Sequence, residues 1–501
     1  MNRLRSAVLA ALLVLPAAAP AADHASAATA AVPASQSLDQ ILSPLTDDPL
    51  FDKADVAIDV VDVRTGTDVF SRQADKQLNP ASTMKVLTSA AALKTLGPAY
   101  RFSTDIYVDG PVQEGVLQGN LYVQGHGDPT MVVEKLWKMV DDIKLQGIDR
   151  IAGDVVYDAS FFDGDASLHG WDKQEDIDDG PSYFARLGAL SLNFNTVALV
   201  VGPGSEPGAP GFLGLETPAS SYVTLDDQVV TGPATSWARL KIEREATDGG
   251  ITFRVEGSVP LDYGRHKFYR TVEQPTAHFA AAFQDMLKRV GIQVGGKHRR
   301  AEVPDDATLL FTVRSPALAA ILMDMNKFSN NFMAEQITKT MGAEVYGVPG
   351  TTAKGVKVIH DYLRGLGLKN ADFTVVNGSG LTRDAFVAPR DFTKVLVAMA
   401  HDPQVGHEFM ASLAIAGEDG TLWRRLTDDP GRLRGKTGTI DGVHCLTGYL
   451  EAGDGQEYAF AFLVNDVRGS LSKVKSLQDR FAMQVFQVGA PDVPEVVDQG
   501  D

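Results

Sequence analysis

The chain has one cysteine, Cys445, in 501 residues, so neither an intrachain disulfide nor a cysteine-built zinc site can hold it together. Stability must come from packing. Positive charge is also scarce. Against 64 aspartates and glutamates stand 46 lysines and arginines, a formal net charge of −18, and the averaged field repels phosphate backbones and anionic lipid surfaces. Nucleic acid is therefore not an expected partner. The ten histidines are scattered and include no His-Glu-x-x-His pair, which leaves zinc without ligands at usable spacing. No metal or cofactor is expected. Beyond the first thirty residues no stretch has the ~20 consecutive apolar residues that a membrane-spanning helix needs.

What is present describes an ordinary folded protein. The AVILMFWYC set makes up 44% of the chain and charged residues 22%, with 47 glycines and 25 prolines; a chain that is disordered, collagen-like or coiled-coil throughout is excluded. The length predicts two or three globular units. The first thirty residues carry Arg3 and Arg5, an apolar run from Ala7 to Leu15, and the small-residue sites Ala19-Pro20-Ala21 and Ala25-Ser26-Ala27. This is the pattern of a secretory signal peptide over residues 1–30. Export to the periplasm or the extracellular side of the envelope is expected, with no membrane-spanning segment in the mature chain.

From Val56 to Phe70 the residues alternate around Arg64-Thr65-Gly66-Thr67, which predicts a hairpin. Ser82 to Leu96 follows Asn79-Pro80, is rich in Ala, Leu and Lys, and stops at Gly97-Pro98, which predicts a helix with Ser82 in its first turn. Between about Tyr100 and Ala282 short β-like runs alternate with Gly/Pro turns. Helical texture returns at Thr276–Val290, Pro316–Lys339, Thr352–Leu366 and Pro389–Ala400; three strand-like runs from Lys436 to Val464 and a helical run from Leu471 to Gln487 close the chain. The two ends read as halves of one α+β domain, at 34–100 and 284–490, split by a β-rich insertion at 101–283. The insertion is expected to hold two domains, about 101–196 with 266–283, and about 197–265.

Ser82-Thr83-Met84-Lys85 places a hydroxyl and an amine three positions apart on one helical face, where the amine can take the hydroxyl proton. Because a free lysine titrates near 10.4, Lys85 needs burial or a neighbouring cation to act as a base at neutral pH. A second lysine would supply that. Lys436-Thr437-Gly438-Thr439, on a predicted strand, offers one, and Ser329-Asn330-Asn331 adds a hydroxyl and a carboxamide. Ser-x-x-Lys alone is weak, since Ser470-Leu471-Ser472-Lys473 also fits; its company gives Ser82 weight. Competing motifs fail in detail. Ser191-Leu192-Asn193 lies in an alternating run and reads as structural. Gly431 to Thr437 lacks the spacing of a phosphate-binding loop. Asn377-Gly378-Ser379-Gly380 lacks the first glycine of a nucleophile elbow.

The ordered trio resembles the motifs of penicillin-binding proteins and class A β-lactamases, with Asn330 where the middle residue of the second motif is usually Asp. Gly127-Asp128-Pro129-Thr130, Gly153-Asp154-Val155-Val156-Tyr157-Asp158, Leu190 to Asn195, Asn377 to Arg383 and Gly417 to Leu422 are likewise similar to segments of one family, the class C low-molecular-mass penicillin-binding proteins, D-alanyl-D-alanine carboxypeptidases/endopeptidases. The long interval between Ser82 and Ser329 matches that class, in which two domains interrupt the penicillin-binding domain. The resemblance implies an α+β fold, a penicillin-binding/β-lactamase-like serine transpeptidase domain with inserted β-rich domains.

It also implies roles. Ser82 is the nucleophile and Lys85 its base; Ser329, Asn331 and Lys436 complete the catalytic set. Lys436, Thr437 and Thr439 receive the substrate carboxylate along the Lys436-Thr437-Gly438-Thr439 strand. The backbone N–H groups of Ser82 and Thr439 form the oxyanion hole. Asp158 and Arg383 fall where the family recognises the third stem-peptide residue. The implied partners are peptidoglycan stem peptides and cross-links, with β-lactams as covalent inhibitors. Two alternatives stand beside this reading: a serine β-lactamase, although no Glu-x-x-Leu-Asn lies between the second and third motifs, and a non-catalytic protein that binds wall or β-lactam.

Overall fold

A computed structural model of the chain describes residues 38–488, except 50–51, 171–179, 181, 185, 217–220, 248, 370 and 469–470. The expected signal peptide, Ser470 and the tail from Pro491 lie outside the described residues. The predicted hairpin forms from strands Asp55–Asp62 and Asp68–Arg72, antiparallel, with Val60 opposite Phe70. Strand Asp55–Asp62 also pairs along its length with Glu457–Asn465, from the other end of the chain. The resulting six-stranded sheet continues through Val443–Glu451 and Leu433–Ile440 to Ala414–Ile415, antiparallel throughout. The two ends of the sequence thus share one sheet.

Both faces of this sheet are covered, and the two-residue period of a strand sorts its side chains between them. Val56, Ile58, Val60, Phe460, Phe462 and Val464 pack with Leu477, Phe481 and Val485 of the closing helix Leu471–Phe486. Ala57, Ala459, Ala461 and Leu463 face the opposite core, built around the helix Met84–Leu96. Every residue of that helix from Met84 to Leu93 is buried. A helix buried on every side is a central one, and its alanines let the neighbouring helices approach closely. Gly97, at φ +81°, ends it.

The expected single helix over Pro316–Lys339 is two, Leu318–Lys327 and Asn331–Tyr346. The break is chemical. Ser329 sits at φ +57°, a conformation that a continuing helix cannot use, and the Asn330 side chain accepts the Met333 N–H at 3.0 Å as an N-cap. Asn and Asp cap equally well, which accounts for Asn330 standing where the related motif has Asp.

Between residues 101 and 314 a five-stranded mixed sheet runs His298–Arg300, Val155–Asp158, Leu121–Gly125, Ser103–Val108, Thr308–Arg314. Its two outer strands come from the stretch expected to belong to the terminal domain from residue 284. They pair instead with Val155–Asp158 and Ser103–Val108, so this sheet runs on to Arg314. Residue 284 itself lies within the helix Pro275–Arg289, whose Phe279, Phe283 and Leu287 pack with Ile106, Val123 and Tyr157. The edge strand His298–Arg300 is polar and carries no apolar alternation to reveal it. A helix at Val133–Leu145, within a stretch read as β-rich, buries Leu136, Met139, Val140 and Ile143, a helical period present in the sequence and overridden there by its β-like surroundings. Among the described residues no helix is long and apolar enough to cross a membrane.

Candidate active site

The first motif is held at the start of the central helix. Ser82 lies in the 3-10 turn Ala81–Thr83, immediately before Met84–Leu96, after Ala81 at φ +45°. A non-glycine residue in that region needs surrounding structure to hold it, and Asn79 does so. Its side chain accepts the Ala81 N–H at 2.9 Å and donates to the Thr382 carbonyl at 2.9 Å, while its backbone N–H donates to Asn465 Oδ1 at 2.8 Å. Neither Asn79 nor Asn465 was identifiable as a site residue from the sequence, because neither belongs to a motif.

One turn on, the Lys85 amine lies 3.0 Å from Ser82 Oγ, 2.7 Å from Asn331 Oδ1 and 2.8 Å from the Ser379 carbonyl oxygen. Burial pushes its pKa well below the ordinary lysine value; the charge of Lys436 acts in the same direction and Glu335 opposes it. Lys436, fully buried on strand Leu433–Ile440, donates to Ser329 Oγ at 2.9 Å and to the Thr437 carbonyl at 2.7 Å. Burial brings its pKa down to about 7. The three motifs expected from the sequence therefore meet: the first by way of Lys85 and Asn331 with the second, the second by way of Ser329 and Lys436 with the third. Asn331 Nδ2 donates to the Tyr183 carbonyl at 3.0 Å, so the segment around Tyr183 touches this cluster through its backbone.

The third motif is pressed against the Ser82 turn. A methyl group on Gly438 would stand 2.6 Å from the Pro80 carbonyl oxygen and 3.2 Å from Ser82 N, so only glycine allows that strand to pass so close. Thr437 Oγ1 bonds Thr421 Oγ1 at 2.8 Å, bringing in the Gly417 to Leu422 segment. Thr439 is exposed beside the turn that joins this strand to the next, with its Oγ1 3.3 Å from His444 Nδ1.

The two expected specificity residues part company. Arg383 is 41% exposed and lies beside the third motif, with Nη1 donating to the Asp441 carbonyl at 3.0 Å. Asp158 is 2% exposed and spent inside the insertion, where it accepts from the Ser160 N–H, Gln124 Nε2 and the Val303 N–H. Burial would raise its pKa, but these bonds outweigh burial and lower it. The structure does not bring its carboxylate to the site. Ser191 of the competing motif donates to the Gly188 carbonyl and receives Asn195 Nδ2, a structural role as expected. Glu335, missed in the sequence, is buried one helical turn after Asn331 and receives the Gly378 and Ser379 N–H groups.

A half-buried serine within reach of an amine whose pKa burial has lowered, in a site that also holds a second buried lysine, is the equipment of a serine-type hydrolase. The comparisons specify which kind. The model of the D-Ala-D-Ala carboxypeptidase 3 (S13) family matches residues 35–487, and the chain belongs to that family. A D-alanyl-D-alanine carboxypeptidase of Actinomadura sp. (strain R39) is 33% identical over 471 residues, covering 91% of this chain and 85% of its own. The crystal structure of penicillin binding protein 4 from Haemophilus influenzae is similar at a TM-score of 0.77 and 25% identity, over 89% of this chain and 99% of that one. The same Haemophilus protein complexed with a β-lactam gives a TM-score of 0.72 at 25% identity, over 88% and 98%.

Proposed function

We propose that the chain is an exported serine D,D-peptidase of peptidoglycan, a D-Ala-D-Ala carboxypeptidase and D-alanyl-meso-diaminopimelate endopeptidase acting through a Ser82 acyl-enzyme. One observation carries the assignment of roles: Lys85 Nζ lies 3.0 Å from Ser82 Oγ in surroundings that favour its neutral form. Ser82 Oγ attacks the carbonyl carbon between two D-residues and its proton passes to Lys85. The negative charge on the carbonyl oxygen falls to the Ser82 and Thr439 N–H groups, a contribution commonly worth ~3 kcal/mol per donor. When the C–N bond breaks, Ser329 relays a proton to the departing amine, and the ester left on Ser82 is then hydrolysed by water. Lys436, Thr437 and Thr439 take the substrate carboxylate, and Arg383 the third stem-peptide residue. The β-lactam complex of the Haemophilus relative supports covalent inhibition by β-lactams.

The β-lactamase alternative needs a carboxylate free to activate water. Both oxygens of Glu335 are already committed to backbone N–H groups, which favours slow deacylation. As to domains, we propose a peptidase domain built from both chain ends and an insertion that runs from residue 101 to Arg314. The test is incubation of the purified protein with a fluorescent penicillin and with peptidoglycan fragments. Mass spectrometry locates the label, and chromatography follows released D-alanine and split cross-links. A stable adduct on Ser82 together with peptide cleavage is expected; rapid antibiotic turnover, or neither labelling nor cleavage, overturns the reading.

A further inference from the structure

Beside Lys85 stands a buried carboxylate to which the proposed chemistry gives no task. Glu335 is 1% exposed and sits four positions after Asn331 on the helix Asn331–Tyr346, hence on the same face. Its Oε1 accepts the Ser379 N–H at 2.7 Å and its Oε2 the Gly378 N–H at 3.2 Å. The turn held in this way is fixed from other sides too: Asn377 Oδ1 accepts the Gly380 N–H at 2.9 Å, and Thr88 Oγ1 donates to the Gly378 carbonyl at 2.7 Å. Gly380, at φ +74°, runs so near the nucleophile turn that a methyl group there would overlap the Ala81 carbonyl oxygen.

This turn delivers the Ser379 carbonyl to Lys85. A neutral amine has two N–H donors and one lone pair. Around Lys85 Nζ stand two oxygens that can only accept, Asn331 Oδ1 at 2.7 Å and Ser379 O at 2.8 Å, and one hydroxyl that can donate, Ser82 Oγ at 3.0 Å. If each acceptor takes one N–H, the lone pair is left for the Ser82 proton. We infer that Glu335 is a positioning residue for acylation: it fixes the Asn377–Leu381 turn so that the Ser379 carbonyl takes one N–H of Lys85, Asn331 takes the other, and the amine lone pair faces Ser82. Glu335 thereby fastens to one helix both acceptors that aim the base.

The charge of Glu335 has a separate consequence. The charged group that acts on it is Lys85 on the central helix, itself influenced by Lys436; Lys339, four positions further along the same helix, gives its ammonium to Asp163. Burial raises the Glu335 pKa, against the pull of its bonds to Ser379 and Gly378 and of the Lys85 charge; where Glu335 is ionised it favours the protonated amine, so its removal makes Lys85 a base at lower pH.

This inference rests on the Ser82 acyl-enzyme reading, and the experiment separates the two. The rate of covalent labelling by a fluorescent penicillin is measured against pH for wild type, Glu335→Gln and Glu335→Ala, with melting temperatures to establish folding. Because misplacement of reacting groups by about 1 Å can cost ~10²-fold, Glu335→Ala should label roughly 10²-fold more slowly on the plateau of the profile, with its acid limb also moved to lower pH, while non-covalent penicillin affinity is retained. Glu335→Gln, which keeps an acceptor for the Ser379 N–H, should recover part of that loss and shift the acid limb of the profile to lower pH. A merely structural role would move neither the limb nor the rate of a folded variant. If neither of these variants folds, Glu335→Asp serves: it keeps the charge but withdraws it from the two N–H groups, so a slower rate with an unmoved limb is expected, and an unchanged rate overturns the inference. Wild type that takes no label on Ser82 refutes the acyl-enzyme reading; a labelled wild type with rates and limb unchanged in folded Glu335 variants refutes this inference alone.

Discussion

Lys436 donates to Ser329 Oγ at 2.9 Å from a fully buried position, so an ammonium that would receive a substrate carboxylate is held against the hydroxyl that would relay a proton. With its pKa brought to about 7 by burial, Lys436 loses its charge above that pH, whereas Lys85, pushed well below the ordinary lysine range, must be neutral to act. The kcat/KM for D-Ala-D-Ala peptides should therefore be bell-shaped, with an acid limb from Lys85 and a basic limb starting near 7. In kcat the basic limb should move upward, because a bound carboxylate stabilises the Lys436 charge. A profile that stays flat well above 7 refutes the assignment.

The same shift makes a stability prediction. Between about 7 and 10.5 the unfolded chain binds a proton at Lys436 that the folded chain does not, so stability rises with pH across that window and the penalty is greatest below it. Lys436→Met removes the titrating group at the cost of its bonds to Ser329 and Thr437, a loss independent of pH. The melting temperature of the variant relative to wild type should climb as pH falls from 10.5 toward 7. A difference that does not vary with pH shows that Lys436 titrates normally.

Ser82→Ala should abolish covalent labelling by penicillin without unfolding the protein, since the turn is held through Asn79 and Asn465 and not through the Ser82 hydroxyl. Lys85→Arg puts a group that stays protonated where a base is needed, and labelling should slow by ~10²–10⁴-fold, the usual contribution of a general base. Persistent labelling of Ser82→Ala moves the nucleophile elsewhere.

Gly438→Ala tests the close passage of the third-motif strand. The added methyl meets the Pro80 carbonyl oxygen at 2.6 Å and Thr83 N at 3.1 Å, both backbone atoms. The strand must therefore move away from Ser82. The expected result is a loss of about 1–3 kcal/mol in stability from overpacking and labelling slowed by roughly 10²-fold. Wild-type rates would show that the strand can shift without disturbing the N–H groups proposed to stabilise the oxyanion.

The hairpin, the central helix and the three closing strands were legible because their apolar periods agree with their surroundings, and the three motifs were legible because each is a fixed local spacing. The break at Ser329 was not, since Leu318–Lys327 and Asn331–Tyr346 share one helical texture and only the Asn330 cap divides them. Nor were Asn79, Asn465 and Glu335. Their partners lie 386 positions apart for Asn79 with Asn465, and 43 and 44 for Glu335 with Gly378 and Ser379. Such pairs exist only once the fold has formed.

Asp158 shows the limit from the other side, because its place beside a family-like segment suggested contact with substrate, whereas its carboxylate is used up by Gln124, Ser160 and Val303. Arg383 stands at the third motif and remains 41% exposed. The two residues should therefore fail in different assays. Asp158→Asn leaves buried donors poorly matched and should cost about 1–3 kcal/mol of stability. Its folded pKa is lowered, so the wild-type advantage is complete above the ordinary carboxylate value and fades as pH falls through the folded one. Penicillin labelling and peptide kinetics should be unaffected at temperatures where the variant is folded. Arg383→Ala should leave stability and penicillin labelling near wild type and raise KM for stem peptides bearing a diaminopimelate carboxylate at the third residue, with little change for peptides lacking it. Melting curves and peptide kinetics on the two variants decide the matter: a specificity change in Asp158→Asn returns that carboxylate to the substrate, and unaltered peptide selectivity in Arg383→Ala makes its contact with Asp441 a surface ion pair and no more.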